Sequence, residues 1–235
     1  HRTDSLLQIY GDLPVAGELA LLRYEFMAGT RDVTAAQKME FINYASQKWA
    51  AWPRISEMQN HRNQLIQPTL GVDVGCVMIR PSEVRTVRFN SLRNIKSLSF
   101  TISKVDIDVS SETYHLQYKP TLEKVKKAIV KGTTSTITHQ YAGHEEYDIF
   151  NDSVAIGPLP KGVYLIEVAS DNEKIDVART LVYVSDVYVV NEALPRYNTR
   201  FAVVSATTGK PLKNAKIRVD KGGKEKVLTC DTKGE

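Results

Sequence analysis

Cysteine is scarce in this 235-residue chain, which carries only Cys76 and Cys230. A small secreted fold stapled by disulfides would hold several pairs, and thiolate metal sites place cysteines a few residues apart. The two stand far apart and are expected in different domains, as buried free thiols and not as a disulfide. No apolar run reaches the roughly 18 residues of a transmembrane helix. His1-Arg2-Thr3-Asp4 opens a mixed segment, not the apolar core of a signal peptide. Charge of one sign is also lacking: the net charge is +4. The one basic cluster, Lys119, Lys124, Lys126, Lys127 and Lys131, reads as a solvated face. A nucleic-acid partner would need a denser stripe with aromatics placed to stack on bases, so none is expected.

Catalytic signatures are missing as well. There is no Gly-x-Ser-x-Gly elbow, and Gly222-Gly223-Lys224 lacks the spacing of a phosphate-cradling loop. Glu145 and Glu146 are adjacent, so their side chains diverge. His139 and His144, with Glu145, Glu146 and Asp148, form the most metal-like grouping. A zinc helix places histidines four apart with a glutamate after the first; here the separation is five, and on a strand the two would face opposite ways. The grouping reads as a polar loop. Glu112 and Asp152 have no partner visible in the sequence. No catalytic residue, cofactor or metal ligand is expected, and the chain is not expected to be an enzyme.

What is present is an ordinary balance, with 42% hydrophobic and 25% charged residues, enough for a core without staples. From Glu18, Leu19, Leu22 and Phe26 fall on one helical face. Thr34 suits an N-cap before Ala35, Met39, Ile42 and Trp49. Ser56 could cap a third helix, with Gln59, Leu65 and Ile66 inside and Pro68 ending it. Trp49 and Trp52 are expected to pack this helical part.

Beyond Pro68 short alternating runs predict strands: Val84 to Phe89, Leu98 to Val105 on to Ile107 and Val109, and Tyr114 to Tyr118. Asn90-Ser91 and Arg93-Asn94 are sites for a turn or bulge. Leu122 to Ile129 fits a helix as well as a strand. Val163 to Val168 and Ala178 to Val184 form a pair around Asp171-Asn172-Glu173-Lys174. A second pair, Arg200 to Val204 with Ala215 to Val219, is expected around Thr208-Gly209-Lys210-Pro211, and Lys221-Gly222-Gly223-Lys224 signals a tight turn. Tyr183 and Tyr188 are placed at a junction between two sheet domains.

The run Val184-Ser185-Asp186-Val187-Tyr188 followed by Thr208-Gly209-Lys210-Pro211-Leu212-Lys213-Asn214-Ala215 resembles the bacterial alpha-2-macroglobulin family. Cys230-Asp231-Thr232-Lys233-Gly234 resembles its T-D-x-x-G turn, with cysteine for threonine. Pro158-Leu159-Pro160-Lys161-Gly162-Val163-Tyr164 resembles its strand entry. The resemblance covers about residues 50–235 and implies an α+β chain by segregation. Residues 1–67 would be a helical segment, 68–185 an immunoglobulin-like (macroglobulin) antiparallel β-sandwich, and 186–235 the truncated start of a second. It further implies a non-catalytic structural module of a large secreted protease inhibitor, periplasmic or at the cell surface. Its partners would be host or competitor proteases and other domains of the same chain. The family's Cys-x-Glu-Gln thioester motif is absent around Cys76 and Cys230, so any trap chemistry would lie outside this chain. The alternative to this reading is a surface binding or adhesion β-sandwich module recognising glycan or protein; self-association through unpaired strand edges near the C-terminus is also expected.

Overall fold

The computed structural model describes residues 2–75, 77–108, 114–221 and 223–235. The chain begins with four helices: α1 (Arg2–Tyr10), α2 (Gly17–Gly29), α3 (Ala35–Lys48) and α4 (Ile55–Ile66). Thr34 starts α3 through a capping box. Its hydroxyl accepts from the Gln37 amide at 3.2 Å, and the Gln37 side chain accepts from the Thr34 amide at 2.9 Å. Gly17, Ala20, Leu21, Tyr24 and Met27 form the buried face of α2, while Leu22 and Phe26 are exposed. The expected stripe was therefore rotated. The cause is close approach by Trp52: a Cβ at Gly17 would lie 2.4 Å from its ring. Gly17 and Ala20 give the start of that face the room the indole needs, and Leu21, Tyr24 and Met27 continue it. Helix α4 has no side-chain cap and buries Met58, so Ser56 and Gln59 do not play their expected parts.

Both tryptophans are buried. Trp49 Nε1 donates to the Gly11 carbonyl at 2.8 Å, and Trp52 Nε1 donates to Glu18 Oε1 at 3.2 Å. The helical unit joins the strands at one corner, where Asn94 Nδ2 donates to the Leu65 carbonyl at 2.8 Å.

Strands β1 (Thr69–Asp73), β3 (Arg85–Arg93) and β6 (Phe150–Ile156) make a three-stranded antiparallel sheet in the order β1-β3-β6. Strands β2 (Met78–Ile79), β4 (Ser97–Val105), β5 (Ser135–Gln140), β7 (Gly162–Ser170) and β8 (Ala178–Val184) make a second sheet in the order β2-β8-β7-β4-β5. The two layers share a core in which Val87, Phe89, Leu92, Val154 and Ile156 meet Leu98, Phe100, Ile166, Val168 and Val182. A bulge at Asn90–Ser91, with Ser91 at φ 55°, shifts the register between Phe89 and Leu92. The extra residue lets both side chains, three positions apart, point inward.

Helix α5 (Lys119–Lys127) covers the other face of the five-stranded sheet, where Val125 packs on Val105, Leu165 and Leu181. Strand β7 is thus buried on both faces, which explains its nearly unbroken apolar run. Glu167 sits at this contact, 3.0 Å from Lys126 Nζ and 2.8 Å from Arg179 Nε. Burial alone would raise its pKa, but the hydrogen bonds and charges of Arg179 and Lys126 hold it below the usual value.

Two further ribbons follow. Strands β9 (Val187–Leu194) and β10 (Asn198–Ser205) pair with each other, as do β11 (Lys216–Lys221) and β12 (Lys224–Thr229).

Several expectations are corrected here. The immunoglobulin-like antiparallel sandwich with the start of a second is not found. The fold is a mixed α+β arrangement of open sheets, none closed among the described residues, and the five-stranded one is mixed because β2 runs parallel to β8. Tyr114 to Tyr118 forms no strand but leads into α5, and Ile107 continues no strand; Val109 lies outside the described residues. The expected pairing of Arg200–Val204 with Ala215–Val219 is replaced by β9–β10 and β11–β12, with one bridge from Val204 to Pro211. Leu122 to Ile129 resolves as helix followed by a bridge from Ile129 to Val105. Cys230 is a buried free thiol, and Cys76 lies outside the described residues.

Candidate functional site

Two places stand apart from ordinary packing. The first is polar. His139 lies on β5 opposite Leu98 and so faces the shared core; Asp152 lies on β6 two residues before the buried Val154 and faces the same interior from the other sheet. They meet where the two layers open to solvent. His139 Nδ1 is 2.5 Å from Asp152 Oδ2, the Tyr141 hydroxyl donates to the same oxygen at 2.8 Å, and the Ser153 amide donates to Asp152 Oδ1 at 2.7 Å. Burial pushes the Asp152 carboxyl upward in pKa. The hydrogen bonds from His139, Tyr141 and Ser153, with the charge of His139, outweigh it and hold the group below the usual carboxylate value. Tyr141 moves the other way: burial comes first, and the bond to ionised Asp152 adds to it, so its phenol stays protonated.

An aspartate on Nδ1 orients an imidazole as a base-orienting pair does. Among the described residues, no hydroxyl or thiol is hydrogen bonded to His139. The geometry therefore clips the two sheets together. Asp152, which had no partner visible in the sequence, has three. His144 lies beyond the end of β5, where it stacks on Phe150, ring centroids 3.8 Å apart, and Tyr141 meets Phe150 edge-on at 4.9 Å. Glu145 and Glu146 are exposed beside a cleft of about 550 Å3. No metal-holding group of three ligands occurs among the described residues.

A pH dependence follows. A carboxyl depressed in the folded state stabilises fully above its unfolded value, about 3.9, and that contribution is lost as pH falls through the folded value. Asp152→Asn is expected to cost about 1–3 kcal/mol at neutral pH, as for a hydrogen bond to a charged group. The gap from wild type should shrink below about pH 4. Urea denaturation of both proteins at pH 7 and pH 3 checks this; an equal gap at both values would contradict it.

The second place is apolar. All eight residues of β9 are exposed, including Val187, Tyr188, Val189, Val190 and Leu194. The root of its hairpin is firm. Asp186 accepts from the Thr207 hydroxyl at 2.6 Å, the Thr207 amide at 2.9 Å and the Ser205 hydroxyl at 3.0 Å. Above all the Thr207 hydroxyl bond keeps its carboxyl below the usual value. The Asp186 carbonyl accepts from the Ala206 amide at 2.7 Å. Hydrogen-bonded pairs alternate along an antiparallel ribbon, so Tyr188, Val190, Glu192 and Leu194 direct their amides to β10. Val187, Val189, Asn191 and Ala193 direct theirs away, and Val187 finds the Ser185 hydroxyl at 3.1 Å. Beside the root lies a cavity of about 460 Å3, lined by Met78, Ile79, Val187, Tyr188 and Val204. Tyr188 thus borders this cavity, whereas Tyr183 packs under α5 with Leu181 and Val125.

No protein-family model matches the chain, and no curated protein matches it. The resemblance to bacterial alpha-2-macroglobulins is therefore corrected. So is the reading as a macroglobulin-domain module of a protease inhibitor with endopeptidase-inhibitor activity. The quoted motifs are turn chemistry that many β ribbons share. Gly209, at φ 69°, closes a turn with its amide on the Ser205 carbonyl, and that turn does not join the hairpin the resemblance required. Among the described residues, no helix is long and apolar enough to cross a membrane.

Proposed function

We propose that this chain is a non-catalytic interaction module that offers β9 as an edge strand to an extended segment of another polypeptide. The observation that carries this is the exposure of all of β9, with its apolar side chains on both faces and its outer edge unpaired among the described residues. Monomeric proteins usually blunt such an edge with proline, lysine or a bulge. Here Val187 to Leu194 has no proline or lysine and pairs with β10 without a register shift. Main-chain bonding along an open edge is a general mode of peptide recognition, with alternate side chains supplying selectivity. A non-catalytic role is supported by the engaged state of Asp152, whose carboxylate is held by three donors inside the clip. A periplasmic or cell-surface setting is part of this proposal, tested by fractionating cells that make the protein.

The probe is a display library of extended peptides panned on the whole chain. Selected peptides should alternate apolar residues and slow amide exchange at Val189, Asn191 and Ala193. Asn191→Pro removes one outward donor while sparing the bonds to β10, and should weaken binding at least tenfold. Val189→Lys should do the same. Peptides that bind equally well to both variants would overturn the proposal.

A further inference from the structure

We infer that the segment β9 recognises is β9 of a second copy, the two strands pairing antiparallel about a two-fold axis through Asn191. This rests on β9 being an interaction edge and goes further in naming its occupant. The strand is self-complementary in three respects. Its outward backbone groups beyond Val187 belong to Val189, Asn191 and Ala193, evenly spaced about Asn191. A two-fold through Asn191 therefore sets Asn191 opposite Asn191 and Val189 opposite Ala193, so every outward amide meets an outward carbonyl. Centring on Val189 or Val190 would leave Ala193 facing the turn before the strand or use Val187, whose amide is already bonded to Ser185.

Side chains agree with this register. Tyr188 falls opposite Leu194, bringing exposed apolar groups together, while Val190 falls opposite Glu192. Charge does not oppose it. Glu192 is the one ionisable acid or base among Val187 to Leu194 apart from the Tyr188 phenol, and it is already paired with Arg200, Nη2 to Oε2 at 2.5 Å. No lysine or arginine of the strand meets its own copy. Such an interface is isologous and closes at two chains.

The test combines sedimentation of the whole chain over a wide concentration range with thiol crosslinking. The expected result is reversible dimerisation, reduced at least tenfold by Asn191→Pro. With Cys76 and Cys230 replaced by alanine, Asn191→Cys should be joined across the two-fold by a short bifunctional thiol reagent. Val190→Cys alone should crosslink poorly, but mixed with Glu192→Cys it should crosslink well. Four outcomes overturn the inference. Dimers that Asn191→Pro leaves intact, with Asn191→Cys unjoined, would place the contact on another face. Crosslinking of Val190→Cys to itself above the level of Asn191→Cys would place the axis elsewhere on β9. A chain that stays monomeric but still binds displayed peptides through β9 would remove the second copy while leaving the interaction edge in place. A monomer that binds no such peptide would remove both.

Discussion

Phe89→Ala is expected to destabilise the sheet region by about 3–5 kcal/mol, the cost of emptying a large aromatic site in a packed core. Phe89 is fully buried on β3, and its ring lies 6.1 Å from that of Phe100 on β4, tilted by 54°. Each ring belongs to a different sheet, and among the described residues no hydrogen-bonded strand pair joins those sheets. What holds the layers together is this apolar interior, with the His139–Asp152 clip at its mouth. Loss of Phe89 should therefore weaken both sheets in one cooperative transition. Residue-resolved amide exchange during denaturation checks this. If β3 and β6 open early while β4 and β7 keep wild-type protection, the shared core is wrong.

Trp52→Ala is expected to cost the helical unit about 3–5 kcal/mol, by the same cavity reasoning. The indole sits against Gly17, donates to Glu18, and has Arg54 5.9 Å from its ring centre. Gly17→Ala attacks the same contact from the other side, since its Cβ would lie 2.4 Å from the ring. The two changes should be strongly non-additive, because removing the ring removes the clash. Fluorescence of the remaining Trp49 reports the unfolding of this unit. Additive losses would mean that Gly17 and Trp52 do not share a site.

Local chemistry made parts of the fold legible. Thr34 was legible as an N-cap, and the structure adds Gln37 as its partner in a capping box. Asn90-Ser91 marks the bulge because such residues tolerate positive φ. The tryptophans were readable as core because Trp49 follows directly on an amphipathic helical pattern and Trp52 precedes Pro53. What escaped was set by distant partners. The inner face of α2 follows Gly17 and Ala20 because Trp52, far along the chain, needs the room. Asp152 gains His139 and Tyr141 only when two sheets converge, and no spacing in the sequence encodes that meeting. Thr208 to Pro211 predicts a turn correctly but not which strands it serves, since pairing depends on the whole sheet. The family-like motifs failed for the same reason: they describe turns, and turns recur across unrelated folds.

The most direct test of the open edge is residue-resolved amide exchange across Val187–Leu194 in dilute protein. Alternation is expected, with Tyr188, Val190 and Glu192 protected by β10 while Val189, Asn191 and Ala193 exchange fast. Uniform protection at the lowest concentrations would show the outer edge covered from within the chain and contradict its role in interaction. Uniformly fast exchange would show that the hairpin itself is not formed.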